Sequence, residues 1–191
     1  MKFSRPLAAN IEIKIPSNLL FTSKTDTEGN ILYTNKNLQE LSGYIKEELL
    51  DSPHSMLRHP DMPRVIFFLL WEELKKGKDV TLLVKNLTKA GEYYWVHNEF
   101  KIIKNDLTHH AAYIVTGKTA SIKAITQIEK LYSKLLKIEK KENIAASLFY
   151  LEHYLQKQNI TLQEYMHEIL RPQTAIASLF NKIKSGLATA A

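Results

Sequence analysis

The hydrophobic period changes once along the chain, near residue 119, and that switch limits the fold to a small α+β domain followed by a helical segment. Before it, short alternating runs bounded by turn residues read as strands at 20–24 and 31–34, joined into a hairpin through 27–30. Short helical pieces follow at 35–41 and 46–50, broken by Gly43, and Pro63 suits the first position of a longer helix that Gly77 stops. Strand-formers then fill 80–86, 93–103 and 111–117, with 88–91 turning the chain between the first two. Two strands, several short helices and three more strands predict an antiparallel sheet with helices crossing one face. After Thr119, Ile128, Leu131, Leu135 and Ile138 recur at seam spacing, and Ile144, Leu148, Leu151 and Leu155 form a second apolar row. Thr161 and Glu164 make a capping-box pair before a third helix, Pro172 lies past its end, and Ile176, Leu179, Phe180 and Ile183 mark a fourth. The expected division is an N-terminal cap over 1–19, the α+β domain over 20–118 and a helical signalling or oligomerisation segment over 119–191. Its stripes pack within the chain, in a homodimer or on another protein.

Composition removes several functions. With 45% hydrophobic and 24% charged residues in 191, the chain has the balance of a globular protein. It lacks the run of roughly 18 to 20 apolar residues that a membrane-spanning helix needs and the apolar stretch of a signal peptide, so it reads as cytoplasmic, without direct membrane insertion. The absence of cysteine excludes disulfides, thiolate metal sites, iron–sulfur clusters and thiol catalysis. The net charge of +6 is spread out: residues 1–118 hold 16 Lys and Arg against 14 Asp and Glu, and residues 119–191 hold 10 against 6. No dense basic block with interleaved aromatics appears in either part, and nucleic-acid binding is not expected.

The most informative stretch is Ser52-Pro53-His54-Ser55-Met56-Leu57-Arg58-His59-Pro60-Asp61-Met62-Pro63, followed by Trp71 on the next helix. Together with Leu41-Ser42-Gly43-Tyr44, Val84-Lys85-Asn86 and Gly91-Glu92-Tyr93-Tyr94-Trp95-Val96, it resembles the PAS domain of bacterial aerotaxis receptors and of soluble energy-taxis proteins that pair with a separate chemoreceptor. The resemblance spans residues 20–118 and implies a PAS fold. It also implies non-covalently bound FAD whose redox state reports electron transport or oxygen supply, and a sensory rather than enzymatic role. The implied partner is a membrane-bound methyl-accepting chemoreceptor on a separate chain. Carried over residue by residue, the cofactor positions fall on Asn35, Arg58, His59, Asp61, Trp71 and Asn86. With no cysteine, the covalent flavin adduct of LOV photosensors is unavailable. Beyond residue 118 neither a membrane anchor nor a long chemoreceptor hairpin is evident, which favours the two-protein arrangement.

These residue types suit the chemistry, and each also has a plain structural role. Arg58 offers a charged planar fork for a diphosphate, or an ion pair to Asp61. His59 could donate to a cofactor or titrate near neutral pH, and Asp61 could cap the helix after Pro63. Trp71 could stack on a flavin or fill the core. Asn35 and Asn86 carry the donors and acceptors that a flavin edge requires, or serve turns and strand ends. His109 and His110 fall in a turn and make no metal site. Two other readings stay open: a haem-binding PAS oxygen sensor, and a cofactor-free PAS interaction module.

Overall fold

The computed structural model describes residues 5–104 and 111–171. Strands β1 (Phe21–Thr25), β2 (Ile31–Thr34), β3 (Val80–Leu87), β4 (Tyr93–Lys104) and β5 (Ala111–Thr119) form one antiparallel sheet in the order β2-β1-β5-β4-β3. Between β2 and β3 lie helices α1 (Lys36–Ser42) and α2 (Lys46–Leu49), a 3₁₀ turn at His54–Leu57, and α3 (Arg64–Lys75); α4 (Ile122–Lys141), α5 (Ile144–Gln156) and α6 (Leu162–Leu170) follow β5. This is the expected α+β order of a PAS fold with C-terminal helices. The stretch 176–183 and the pair His109 and His110 lie outside the described residues.

Local chemistry explains where the elements start and stop. Gly43 adopts φ 73° and ends α1, a conformation that side chains with a Cβ rarely take. Ser121 accepts from the Ala124 amide to start α4, and Asn143 accepts from Ala146 to start α5. Thr161 and Glu164 close the expected capping box on α6.

Alternation along β4 gives the sheet two faces. Tyr94, Val96, Asn98 and Phe100 point toward α3 and the 3₁₀ turn, whereas Trp95 points away and stacks on Tyr132 of α4 at 6.4 Å between ring centroids. Helix α4 therefore covers the second face. Phe21, Leu82 and Trp95 of the sheet share one apolar cluster with Leu135, Leu151 and Met166 of the C-terminal helices.

The outer edge of β3 has no neighbouring strand, and a buried edge must find other partners for its polar groups. Three segments supply them. The His59 amide donates to the Lys85 carbonyl (3.1 Å), and the Lys85 amide points at Met62 Sδ (3.3 Å). The Tyr132 hydroxyl donates to the Leu83 carbonyl (2.9 Å), and the Thr81 amide donates to Gln163 Oε1 on α6 (2.8 Å).

Two substitutions test whether the helices belong to the core. Tyr132→Phe strands the buried Leu83 carbonyl and is expected to cost about 1–3 kcal/mol; Leu135→Ala, at a side chain with 0% exposure, is expected to cost about 2–5 kcal/mol. Phe149→Ala, on the exposed face of α5, should change stability by less than about 0.5 kcal/mol. Urea denaturation measures all three, and a Leu135→Ala midpoint equal to wild type would detach α4 from the core.

Candidate functional site

Helix α3 buries Val65, Ile66, Leu70 and Leu74 and turns Phe67 and Trp71, one helical turn apart, toward the inner face of the sheet. Between them lies a cavity floored by Asn86 of β3 and Asn98 of β4 and walled by Phe100 and Tyr113, with His54 and Arg58 at one side. The Trp71 ring meets Tyr113 edge-on at 5.8 Å and rests over Gly29 of the β1–β2 turn, where a Cβ would come within 3.0 Å of it. Gly29 has φ 91°, so a side chain there would be both strained and crowded.

Two buried amides on the floor of a largely apolar cavity are the most informative feature. Asn86 and Asn98 are each 5% exposed, and burying an amide is unfavourable unless its donors and acceptors are met. Room for Asn98 is made across the sheet. Its register partner is Gly117, where a Cβ would sit 2.5 Å from Asn98 Oδ1.

Arg58 is fixed by its backbone, which bridges Asn86 on the free edge of β3. Its guanidinium lies 4.7 Å over the Phe67 ring, a cation–π contact, and takes part in no ion pair among the described residues. Burial, then the like charges of Arg5 and Arg64, lower its pKa from the ordinary value. The alternative of an Arg58–Asp61 pair is not found. Asp61 instead meets Lys85 Nζ at 3.2 Å, and Lys85, 7% exposed, also sits 4.1 Å over the Tyr93 ring.

His59 and Asp61 flank the cavity rather than line it. His59 Nδ1 accepts from the Asp61 amide (3.0 Å), and burial and Lys85, opposed by Asp61, lower its pKa to about 4. The ring is neutral at pH 7, so it does not titrate near neutrality. Asp61 does not cap α3 either. That role falls to Glu139, at the far end of α4, whose two carboxylate oxygens accept from the Arg64 and Val65 amides at 2.8 Å each.

Of the six sequence-derived positions, Arg58, Trp71 and Asn86 meet at the cavity. Asn35 lies outside it: its side chain accepts from the Leu38 and Thr22 amides and donates to the Leu20 carbonyl, tying α1 to β1. Asn98 and His54 were not singled out from the sequence. His54 Nε2 lies 3.0 Å from Ser23 Oγ, and burial lowers its pKa to about 4. Among the described residues no group of three His, Cys, Asp or Glu could hold a metal ion, and no helix is long and apolar enough to cross a membrane.

The donor set fits a flat heteroaromatic ring with polar edges: amides on the floor, an indole and a phenyl ring above, and at the mouth a guanidinium with no ion pair among the described residues. The open volume is about 70 Å³, below the roughly 300 Å³ at which small-molecule sites begin. A tricyclic ring therefore requires α3 or its aromatic side chains to move outward.

An antiparallel five-stranded sheet in this strand order, with helices on its inner face, is the PAS fold. The PAS fold family matches residues 31–116, and the chain carries a domain of that family. It is similar to the aerotaxis receptor of Escherichia coli, at 32% identity over 133 residues, which cover 69% of this chain and 26% of that protein. It is also similar to the biofilm dispersion protein BdlA of Pseudomonas aeruginosa, at 28% over 86 residues, covering 42% of this chain and 19% of the relative. The chain thus spans about a quarter or less of these relatives. A solved light-oxygen-voltage domain, studied with a flavin analogue, superposes with a TM-score of 0.52 at 18% identity, covering 58% of this chain and 84% of that one, and shares the fold.

Three histidines, His54, His59 and His97, have pKa values depressed chiefly by burial and make stability pH-dependent. Each binds a proton less readily folded than unfolded, so the unfolded state gains protons first as pH falls below about 6.5. The contribution of His54 and His59 is complete above that value and is lost on acidification toward their folded value of about 4. The urea midpoint should fall between pH 6.5 and 5, and a His54→Gln/His59→Gln variant should flatten the slope. An unchanged slope in the double variant would place the acid sensitivity elsewhere.

Proposed function

We propose that this PAS domain is a non-enzymatic redox sensor that holds FAD non-covalently between α3 and the sheet and signals through α4–α6 to a separate, membrane-bound chemotaxis transducer. The observation that carries the reading is the pair of buried amides, Asn86 and Asn98, beneath Trp71, with the Arg58 guanidinium, in no ion pair among the described residues, at the mouth. The similarity to an aerotaxis receptor supports the sensory role and the transducer partner.

In this reading Asn86 and Asn98 meet the polar edge of the ring, Trp71 and Phe67 cover its face and keep water away, and Arg58 holds phosphate. A bound flavin supplies reversible electron transfer, and the protein tunes it through charge and hydrogen bonding. Asn98 on the central strand β4 and Trp71 on α3 feel any change at the ring from opposite sides. A change there alters signalling only to the extent that it interacts differently with two arrangements of the protein. Phe149, 74% exposed on α5, offers an apolar contact for a partner.

The cavity volume of about 70 Å³ favours a second reading, a cofactor-free PAS interaction module. One preparation separates the two. Protein purified from cells is expected to carry about one acid-releasable FAD per chain. Arg58→Ala should lose most of it with little change in circular dichroism, since removing a desolvated charge partner costs about 2–5 kcal/mol. Colourless protein that takes up no added FAD would support the interaction module, and an intense Soret band would point to haem.

A further inference from the structure

A second cleft, of about 700 Å³, opens between the 58–64 segment and the α4–α5 corner. Arg58 lines both this cleft and the cavity under α3. Four cations border the cleft: Arg5, Arg58, Arg64 and Lys140. None takes part in an ion pair among the described residues. Two carboxylates, Glu139 and Glu142, also border the cleft, but both oxygens of Glu139 are engaged by the α3 amides. Arg5 and Arg64 are close enough for their charge to act on Arg58. Four cations against two carboxylates leave the cleft net positive, although Glu139 also acts on Arg58, and a net positive cleft suits an anion.

We propose that this cleft takes the adenosine diphosphate half of the dinucleotide, with the diphosphate spanning Arg58, Arg64 and Lys140, so that α4 touches the cofactor directly. The inference rests on the flavin reading given above and adds residues of the helical segment to the site. Neighbouring cavities that share Arg58 suit a dinucleotide: a ring in the narrow, amide-floored cavity and phosphates in the wide, basic cleft beside it. Guanidinium forks suit the paired oxygens of a diphosphate, and Lys140 adds a point charge from the opposite wall. A flavin without the nucleotide half would leave the cleft empty and make no use of Lys140.

The test titrates the full chain, freed of flavin, with riboflavin and with FAD at two ionic strengths. Wild type should bind FAD at least about tenfold more tightly than riboflavin, with only FAD binding weakened by salt. Lys140→Glu and Arg64→Glu should each weaken FAD at least about fivefold and leave riboflavin unchanged, while Lys157→Glu, at the far end of α5, should change neither. Circular dichroism melts confirm that the variants fold. Equal affinity for riboflavin and FAD, or an FAD affinity indifferent to Lys140→Glu and Arg64→Glu, overturns the inference and leaves the flavin reading standing. Failure of both flavins to bind wild type overturns the flavin reading, and the inference with it.

Discussion

The outer edge of β3 is the constraint on which the rest of the structure depends. A strand buried on both faces cannot leave its free amides and carbonyls unpaired, and here the partners come from three separate segments. The motif stretch supplies the His59 amide and Met62 Sδ, α4 supplies the Tyr132 hydroxyl, and α6 supplies Gln163. Arg58 is set at the cavity mouth by the same edge, through its backbone bridge to Asn86. One strand thus holds the Asn86 amide in the cavity on one side and the helical segment on the other.

Glu139 closes the loop between them. Its carboxylate engages the first two amides of α3, the helix that carries Phe67 and Trp71. A charged acceptor at a helix start gains from both the unsatisfied amides and the helix dipole. Outward movement of α3, which a ring larger than the present cavity requires, must either carry the end of α4 along or break these two hydrogen bonds. The path from cavity to helical segment is therefore two bonds long and needs no diffuse rearrangement of the sheet.

Much of this was legible in the sequence because it is written in local chemistry. Gly43 and Gly77 ended their helices, Thr161 and Glu164 capped theirs, and alternation along 93–96 separated Tyr94 from Trp95 as the sheet does. Arg58, Trp71 and Asn86 converge because the motif lies one strand edge away from β3. What was not legible depends on long-range partners. Asn98 is an isolated polar residue in a strand, and its burial becomes meaningful only beside Gly117, a register partner on β5. Glu139 sits in a charged run, Glu139-Lys140-Lys141-Glu142, that reads as a solvated helix end; its partners are 74 and 75 residues away. Asp61 looked like a cap because it precedes α3, but Lys85, held in a buried position over Tyr93, draws its carboxylate away. Burial and the same Lys85 both oppose the charged form of His59, which favours its neutral ring.

Amide hydrogen exchange on the flavin-loaded protein, oxidised against reduced, tests the coupling most directly, because it reads local opening residue by residue. Protection should change together at the first turn of α3, including the Arg64 and Val65 amides, and along the last turns of α4 up to Lys141, and Glu139→Gln should uncouple the two. Changes confined to the strands around Asn86 and Asn98, with α4 indifferent to the redox state, would contradict a signal carried through the Glu139 contact.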